Sequence, residues 1–464
     1  MQTFIGCVSQ WRVAMVINKR SGQTRAYTMI QELLDPGSFM EMGEHVSARM
    51  TSFYAPDEVQ ESDGVITGYG TIDGNLVYIY AQDGEVMGGT FGEMHGRKIF
   101  NMYDHAVKAR APVIGLLDCS GFRVEEGIVG LEQFARLYNI QTKASSKILQ
   151  IAAVVGDCGG GMSLSAVIAD YVFIEKERGH LFVNPSSLIE EDTSFGGEID
   201  DISAYDDGHY SWEEIVTRIR SLVTTLPPSV AFAPQAVETE DDLNRLCPSL
   251  RGMLGDGRAM LREIADDHLL LETKPDKGED MITGFIRMNG LPVGVCCCNE
   301  VEGRRLLSYQ GLEKAGYITH TCTKFHLPVL TIIYTDGYQK TVSNEANLPN
   351  AARRLARQFA EADVLQINVI AGDVFGSAYS LLNSKGLGCD YTFIWDDADV
   401  SLINPEQAVE MINGTYNQEL AEQYRDAYSS PMALARLGSV DRIIAPEETR
   451  KYIIGALETF VNSR

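Results

Sequence analysis

At 464 residues, with 45% hydrophobic and 22% charged side chains, the chain carries apolar material for two soluble cores and does not have the composition of a disordered polymer. Its formal net charge of -25 excludes a nucleic-acid backbone or an anionic bilayer as a general partner, so an anionic ligand requires a local basic site. The nine cysteines are odd in number and include no CxxC pair, which points to neither structural zinc nor a redox motif, and no metal is expected. Met1 to Arg20 lacks the basic start, apolar block and small-residue cleavage site of a secretory leader, and apolar stretches such as Ile151 to Val155 are too short to span a bilayer. These features predict a cytoplasmic protein without membrane insertion.

In chain order, Leu76 to Tyr80 and Val113 to Leu117 are short apolar runs bounded by Gly, Asp and Ser, and Ile148 to Val155 ends in a glycine cluster; all three read as buried strands. Lys98 to Arg110 and Leu131 to Ala144 between them carry apolar residues at helical spacing. Met162 to Asp170 also reads as a helix. The order then repeats, with strands at Val293 to Cys298, Val329 to Tyr334 and Val364 to Ala371 and helices at Gly311 to Lys324 and Ala351 to Ala362. This is an α/β class in which helices cover a sheet.

The repetition extends to the residues. Ile66-Thr67-Gly68 recurs as Ile282-Thr283-Gly284, Pro112-Val113 as Pro328-Val329, Leu149-Gln150-Ile151 as Leu365-Gln366-Ile367 and Gly156-Asp157 as Gly372-Asp373, all at an offset of 216. Asp170-Tyr171 and Asn184-Pro185 recur as Asp390-Tyr391 and Asn404-Pro405 at 220. A period this long exceeds a solenoid repeat, so each copy is expected to form its own core. The Pro-rich and acidic stretch from Leu226 to Leu250 places the break near residue 240, giving domains 1–240 and 241–464.

Chemistry is expected where strands run into glycine. Gly156 through Gly161 follows a strand and precedes a helix, a layout that aims unsatisfied backbone N–H groups at a ligand. Two such donors make an oxyanion hole; a tight turn without ligand or a phosphate cradle are the alternatives. The absence of a following Lys-Ser or Lys-Thr excludes a Walker motif. His95 reads as a hydrogen-bonder at a helix start, Cys119 and Cys158 as packing groups, and Glu125-Glu126 beside Arg123 as a salt-linked loop.

The run Gly88-Gly89-Thr90-Phe91-Gly92-Glu93-Met94-His95-Gly96-Arg97-Lys98-Ile99 resembles the segment after an early strand in carboxyltransferases of biotin-dependent acyl-CoA carboxylases and decarboxylases. Leu33 to Phe39, Gly64 to Asp83 and Gly156 to Ser165 resemble that family's first-domain motifs, and Asn299 to Lys314, Thr335 to Tyr338, Phe375 to Tyr379 and Val440 to Arg450 its second-domain motifs. The resemblance implies two tandem crotonase-like spiral domains. It also implies transfer of a carboxyl group between carboxybiotin and the α or vinylogous carbon of an acyl-CoA. By that resemblance the first domain holds acyl-CoA along Gly88, Gly89, Gly121, Phe122 and Arg123. The N–H groups of Gly160 and Gly161 hold the thioester oxygen as an enolate, and Arg97 and Lys98 either help with CoA phosphates or are plain surface charge. The second domain takes biotin at Phe375, Gly376, Tyr379, Gly337 and Tyr338, with the N–H groups of Ser377 and Ala378 on the ureido oxygen.

The chain contains no Met-Lys-Met biotinylation motif and no ATP-grasp-like loop, so biotin must arrive on a carrier protein. A biotin carboxylase or a membrane decarboxylase pump subunit is the implied further partner, and a homodimer or hexamer the implied assembly. Three departures stand out. Asp118-Cys119-Ser120-Gly121-Phe122-Arg123 replaces Asp-Ser-Gly-Gly-Ala-Arg, Phe375-Gly376-Ser377-Ala378-Tyr379 replaces Tyr-Gly-Gly-Ala-Tyr, and Asp336-Gly337-Tyr338 replaces Pro-Gly-Phe. A noncatalytic scaffold subunit, or another crotonase-type acyl-CoA enzyme, is the alternative. The acidic run Glu198-Ile199-Asp200-Asp201 after Phe195-Gly196-Gly197 is expected to shape the cleft wall.

Overall fold

The computed structural model describes residues 24–53, 62–184 and 206–461. The acidic run at 198–201 and the glycines before it lie outside the described residues. The chain divides into two units, 1–232 and 233–464.

In the first unit α1 (Arg25–Leu33) leads to β1 (Met40–Met42), β2 (Val65–Ile72), β3 (Asn75–Gln82), α2 (Glu93–Ala109), β4 (Val113–Cys119) and α3 (Ile128–Ser145). Next come β5 (Gln150–Gly159), α4 (Gly161–Ala166), β6 (Tyr171–Glu175), β7 (His180–Phe182), β8 (His209–Tyr210) and α5 (Trp212–Thr225). Strands β2 and β3 form an antiparallel hairpin whose turn residues, Asp73 and Gly74, both have positive φ, the twist a two-residue hairpin favours. From β3 onward β4, β5 and β6 add in parallel, with helices as the crossovers. The sheet order is β1-β2-β3-β4-β5-β6-β8. Its apolar face meets Ile99, Met102, Tyr103 and Ala106 of α2, all buried and spaced three or four residues apart along one helical stripe.

Two local features open a corner at the end of this sheet. The β4–β5 register shifts between Leu117 and Cys119, and the last three residues of β5 pair with β7 instead of β6. The strand therefore runs on through Gly156-Asp157 to Gly159, beyond the predicted end at Val155. Helix α4 stops at Ala166, short of the predicted Asp170. The Asp170 carboxylate accepts the Gln150 N–H at 2.8 Å, which returns the chain to the sheet.

The second unit contains α6 (Gly257–Ile264), β9 (Leu271–Thr273), β10 (Met281–Met288), β11 (Leu291–Cys298), β12 (Leu306–Leu307), α7 (Tyr309–Phe325), β13 (Val329–Thr335), β14 (Gly337–Tyr338) and α8 (Val342–Glu361). It continues through β15 (Gln366–Phe375), α9 (Ser377–Leu381), β16 (Tyr391–Trp395), β17 (Val400–Ser401), α10 (Pro405–Asn413), α11 (Gln418–Tyr424), α12 (Pro431–Arg436), β18 (Arg442–Ile444) and α13 (Thr449–Val461). Its sheet order is β18-β16-β15-β13-β11-β10-β9, and the end of β15 pairs with β17. Strands β2, β3, β4 and β5 and helix α2 have the same lengths as β10, β11, β13 and β15 and helix α7, each displaced by 216 residues; β6 and β16 are displaced by 220. The register shift recurs between Ile333 and Thr335. Helix α8 begins at Val342, ahead of the predicted Ala351. Thr341 caps it by accepting the Asn344 N–H, and Pro349 sits on an exposed turn.

Candidate active site

In the first unit the two glycine loops lie side by side. The Phe91 N–H donates to Gly121 O at 2.8 Å and the Arg123 N–H to Phe91 O at 3.0 Å. Gly89 is needed for this approach, because a Cβ there would stand 2.0 Å from Asp118 O. Gly88, Ser120, Asp118, Asp157, Arg25 and Arg178 line a cavity of about 210 Å3 beside the loops. Phe122 is 44% exposed.

Arg123 does not reach that surface. It is fully buried, its Nη1 contacting Asp63 and, at 3.0 Å, Glu126, and its Nη2 donating to Thr90 O at 2.8 Å. Asp63 also accepts the His95 N–H at 2.7 Å and Glu126 the Glu93 N–H at 2.6 Å, so one guanidinium joins four segments. The expected ligand contact is thus a structural ion pair. Lys98 is likewise inside, donating to Val65 O at 2.5 Å, and burial pushes its ammonium down to about 8. Arg97 is exposed and pairs with Glu93 at 2.6 Å one helical turn away.

His95 is buried between Asp63 O, 3.0 Å from Nδ1, and Gln82 Nε2, 3.1 Å from Nε2, and burial drives it well below its ordinary range. It is a helix-start hydrogen-bonder. Cys119 and Cys158 are buried with their thiols pushed up, Cys119 to about 12, which suits packing groups and not nucleophiles.

The corner after β5 sharpens the donor assignment. Gly160 adopts φ 55°, ψ -124° and donates its N–H to Phe182 O at 3.1 Å, so that expected donor is already occupied. Gly161 and Met162 open α4, where a helix has no internal acceptor for its first N–H groups, and among the described residues neither finds another. The free pair is one residue further along than predicted. The 216-residue offset contained the signal, since Met162 is the counterpart of Ala378.

The second unit repeats the corner. Gly376, at φ 71°, donates to Ser401 O at 2.9 Å, leaving the N–H groups of Ser377 and Ala378 without an acceptor among the described residues. The structure brings Gly337, Tyr338, Phe375, Gly376 and Ser377 together on one cavity of about 900 Å3. Arg304, from the Asn299 to Lys314 motif, lines it too, as do Leu402 and Lys340, which lie outside the motifs. Asp336 is held by Arg305 at 3.0 Å. Tyr379 turns away, its hydroxyl meeting Ser439. Among the described residues no group of three or more His, Cys, Asp or Glu side chains is placed to hold a metal ion, and no helix is long and apolar enough to cross a membrane.

The carboxyl transferase domain family matches residues 18–464. The propionyl-CoA carboxylase beta chain of Cereibacter sphaeroides is 30% identical, over 96% of this chain and 92% of its own. Methylmalonyl-CoA decarboxylase subunit alpha of Propionigenium modestum is 29% identical over 96% and 91%. Among solved structures, transcarboxylase 12S, a hexamer with methylmalonyl-coenzyme A and methylmalonic acid bound, superposes with a TM-score of 0.88 at 26% identity over all of this chain and 97% of that one.

Proposed function

The chain belongs to the carboxyl transferase domain family, and from that premise we propose which of its groups carry the reaction. It is the carboxyltransferase component of a biotin-dependent acyl-CoA carboxylase or decarboxylase. The acyl-CoA lies on the first unit, along Gly88, Gly89, Gly121 and Phe122. The N–H groups of Gly161 and Met162 hold the thioester oxygen as negative charge develops on it, and such donors act without reorganisation in a site that excludes water. No side-chain acid or base from this chain is required.

The residues of the second unit fit a biotin ring: two unengaged N–H groups at Ser377 and Ala378, the aromatic walls Tyr338 and Phe375, and a cavity of about 900 Å3. Biotin, borne on a carrier protein, supplies the ureido nitrogen that gives or receives the carboxyl group. The chain's part is to polarise the ureido oxygen through the two N–H groups and to position the ring. The further partners are a biotin carboxyl carrier protein and either a biotin carboxylase or a membrane decarboxylase pump subunit, met in the cytoplasm by a homodimer or hexamer of this chain.

The observation that carries this reading is the recurrence of one corner. In both units a positive-φ glycine ties its own N–H to a neighbouring strand, at Phe182 O and at Ser401 O, and thereby presents the next two N–H groups. The test is decarboxylation of malonyl-CoA, methylmalonyl-CoA and glutaconyl-CoA by the purified protein, with and without free biotin, alongside its mass in solution. The expected result is biotin-dependent loss of one carboxyl group by an even-numbered oligomer. Turnover that ignores biotin would assign the protein to other crotonase chemistry, and CoA-ester binding without turnover would make it a scaffold.

A further inference from the structure

The second corner depends on a strand of two residues, which is too short to hold itself in place. Strand β17 supplies the acceptor for the Gly376 N–H, Ser401 O at 2.9 Å, and the chain that follows it, Leu402 to Asn404, walls the large cavity. The residue just before β17 sets where it lies. Asp399 O accepts the Val374 N–H at 2.8 Å, and the Asp399 N–H donates to Asp373 Oδ1 at 3.0 Å, so both of its backbone groups are tied to the end of β15.

The Asp399 carboxylate would oppose this placement if it stood alone, because its side chain is only 11% exposed and the Asp373 carboxylate is close by. Arg425 removes the conflict. Its Nε reaches both Asp399 carboxylate oxygens, at 2.6 and 2.9 Å. Arg425 opens a π turn, Arg425–Ser429, directly after α11, closed by the Ser430 N–H on Arg425 O at 2.8 Å. Such a turn carries an extra residue and breaks the regular helical stripe. In the first unit the residue facing Asp157 across the β5–β7 register is His180, which is exposed, so the ion pair is not part of the fold common to both units.

We propose that Arg425 is a positioning residue for carboxyl transfer: through Asp399 it holds β17, and with it the Ser401 carbonyl that engages Gly376 and leaves the N–H groups of Ser377 and Ala378 to the ligand. The inference rests on reading this cavity as the biotin side. Arg251 provides an internal contrast, since it pairs with Asp396 at 2.7 Å and with Asp397 on the same loop, but these lie further from β17 than Asp399 does.

The test is steady-state kinetics of the full-length protein with free biotin and whichever of malonyl-CoA, methylmalonyl-CoA and glutaconyl-CoA the wild type decarboxylates. The variants are Arg425→Ala, Arg425→Lys, Asp399→Asn, the Arg425→Ala/Asp399→Asn pair and Arg251→Ala. In Arg425→Ala, kcat/KM for biotin is expected to fall about 10- to 100-fold as the donors are displaced. Arg425→Lys should recover most of that loss, because an ammonium still meets the carboxylate, and Arg251→Ala should stay near wild type. The double variant should lose no more than Arg425→Ala, because the two side chains act as one unit. KM for the acyl-CoA and the stoichiometry of its binding belong to the first unit and should stay at wild type, a split that partial unfolding of the chain would not give. Unchanged kcat/KM for biotin in Arg425→Ala, an equal loss in Arg251→Ala, or losses that multiply in the double variant would each overturn the proposal. Wild-type turnover that ignores biotin would instead remove the reading of the cavity, and the inference with it.

Discussion

Arg123 illustrates how a residue's motif and its surroundings can point to different roles. In sequence it stands beside Gly121-Phe122 and reads as a ligand contact. In the structure its principal partner, Asp63, is 60 residues away, and no local pattern announces a partner at that distance. The same holds for Lys98, whose acceptor Val65 O is 33 residues upstream. Removing one partner of a buried ion pair leaves the other charges uncompensated, a cost of about 3–5 kcal/mol. Arg123→Leu is therefore expected to lower the unfolding free energy by that amount in urea titrations. It should also raise KM for the acyl-CoA, because the loops at Thr90 and Gly121 lose their common anchor. Arg123→Lys should not rescue, since one ammonium cannot reproduce the fork that reaches Asp63, Glu126 and Thr90 together. Arg97→Ala is the contrast. Its pair is an exposed helix-surface bridge, so melting temperature and KM should both stay close to wild type.

Among the elements, the strands and the offset between copies were legible because burial on both faces leaves near-continuous apolar runs and because glycine marks turns that other residues cannot make. The ends of β5 and β15 were not. Their last residues pair with β7 and β17, and beyond a register shift with the ends of β4 and β13, and that pairing is non-local. It also explains why one expected donor in the first unit was misplaced: the strand takes the N–H of Gly160, and the helix leaves those of Gly161 and Met162 free. Gly376 offers a clean test. At φ 71°, ψ -156° it occupies a region essentially closed to other residues, yet the nearest atom to an added Cβ, Leu402 O, is 3.7 Å away. Gly376→Ala thus introduces backbone strain of about 1–3 kcal/mol without a clash. The expected outcome is a modest fall in melting temperature with a loss of roughly 10²-fold or more in biotin-dependent kcat as the Ser377 and Ala378 donors shift. A melting-temperature loss at unchanged kcat would dissociate the corner from catalysis.

At the scale of the whole molecule the buried thiols set an alkaline limit. All eight described cysteines are buried. Burial pushes Cys119, Cys298 and Cys389 up to about 12 and the other five in the same direction. In the unfolded chain a thiol titrates near ~8.5. A thiol whose folded pKa is raised keeps its proton in the native state while the unfolded chain gives it up. Its contribution is therefore intact below the unfolded value and is lost as pH rises through the window toward about 12. Lys98 and Lys314 act in the opposite sense. Burial lowers both to about 8, so the folded state binds fewer protons than the unfolded one between there and roughly 10.4, and stability rises with pH across that window. With eight thiols against two ammonium groups, the net effect is a loss of stability with rising pH once the unfolded thiols ionise. Urea midpoints should accordingly be nearly level up to about pH 8 and fall steeply between 9 and 10, and a profile flat to pH 10 would refute the assignment. The same burial predicts that a thiol reagent at pH 8 leaves these eight cysteines unmodified in the native protein and labels all of them in denaturant, which ties the alkaline limit to the two cores and not to the surface charge.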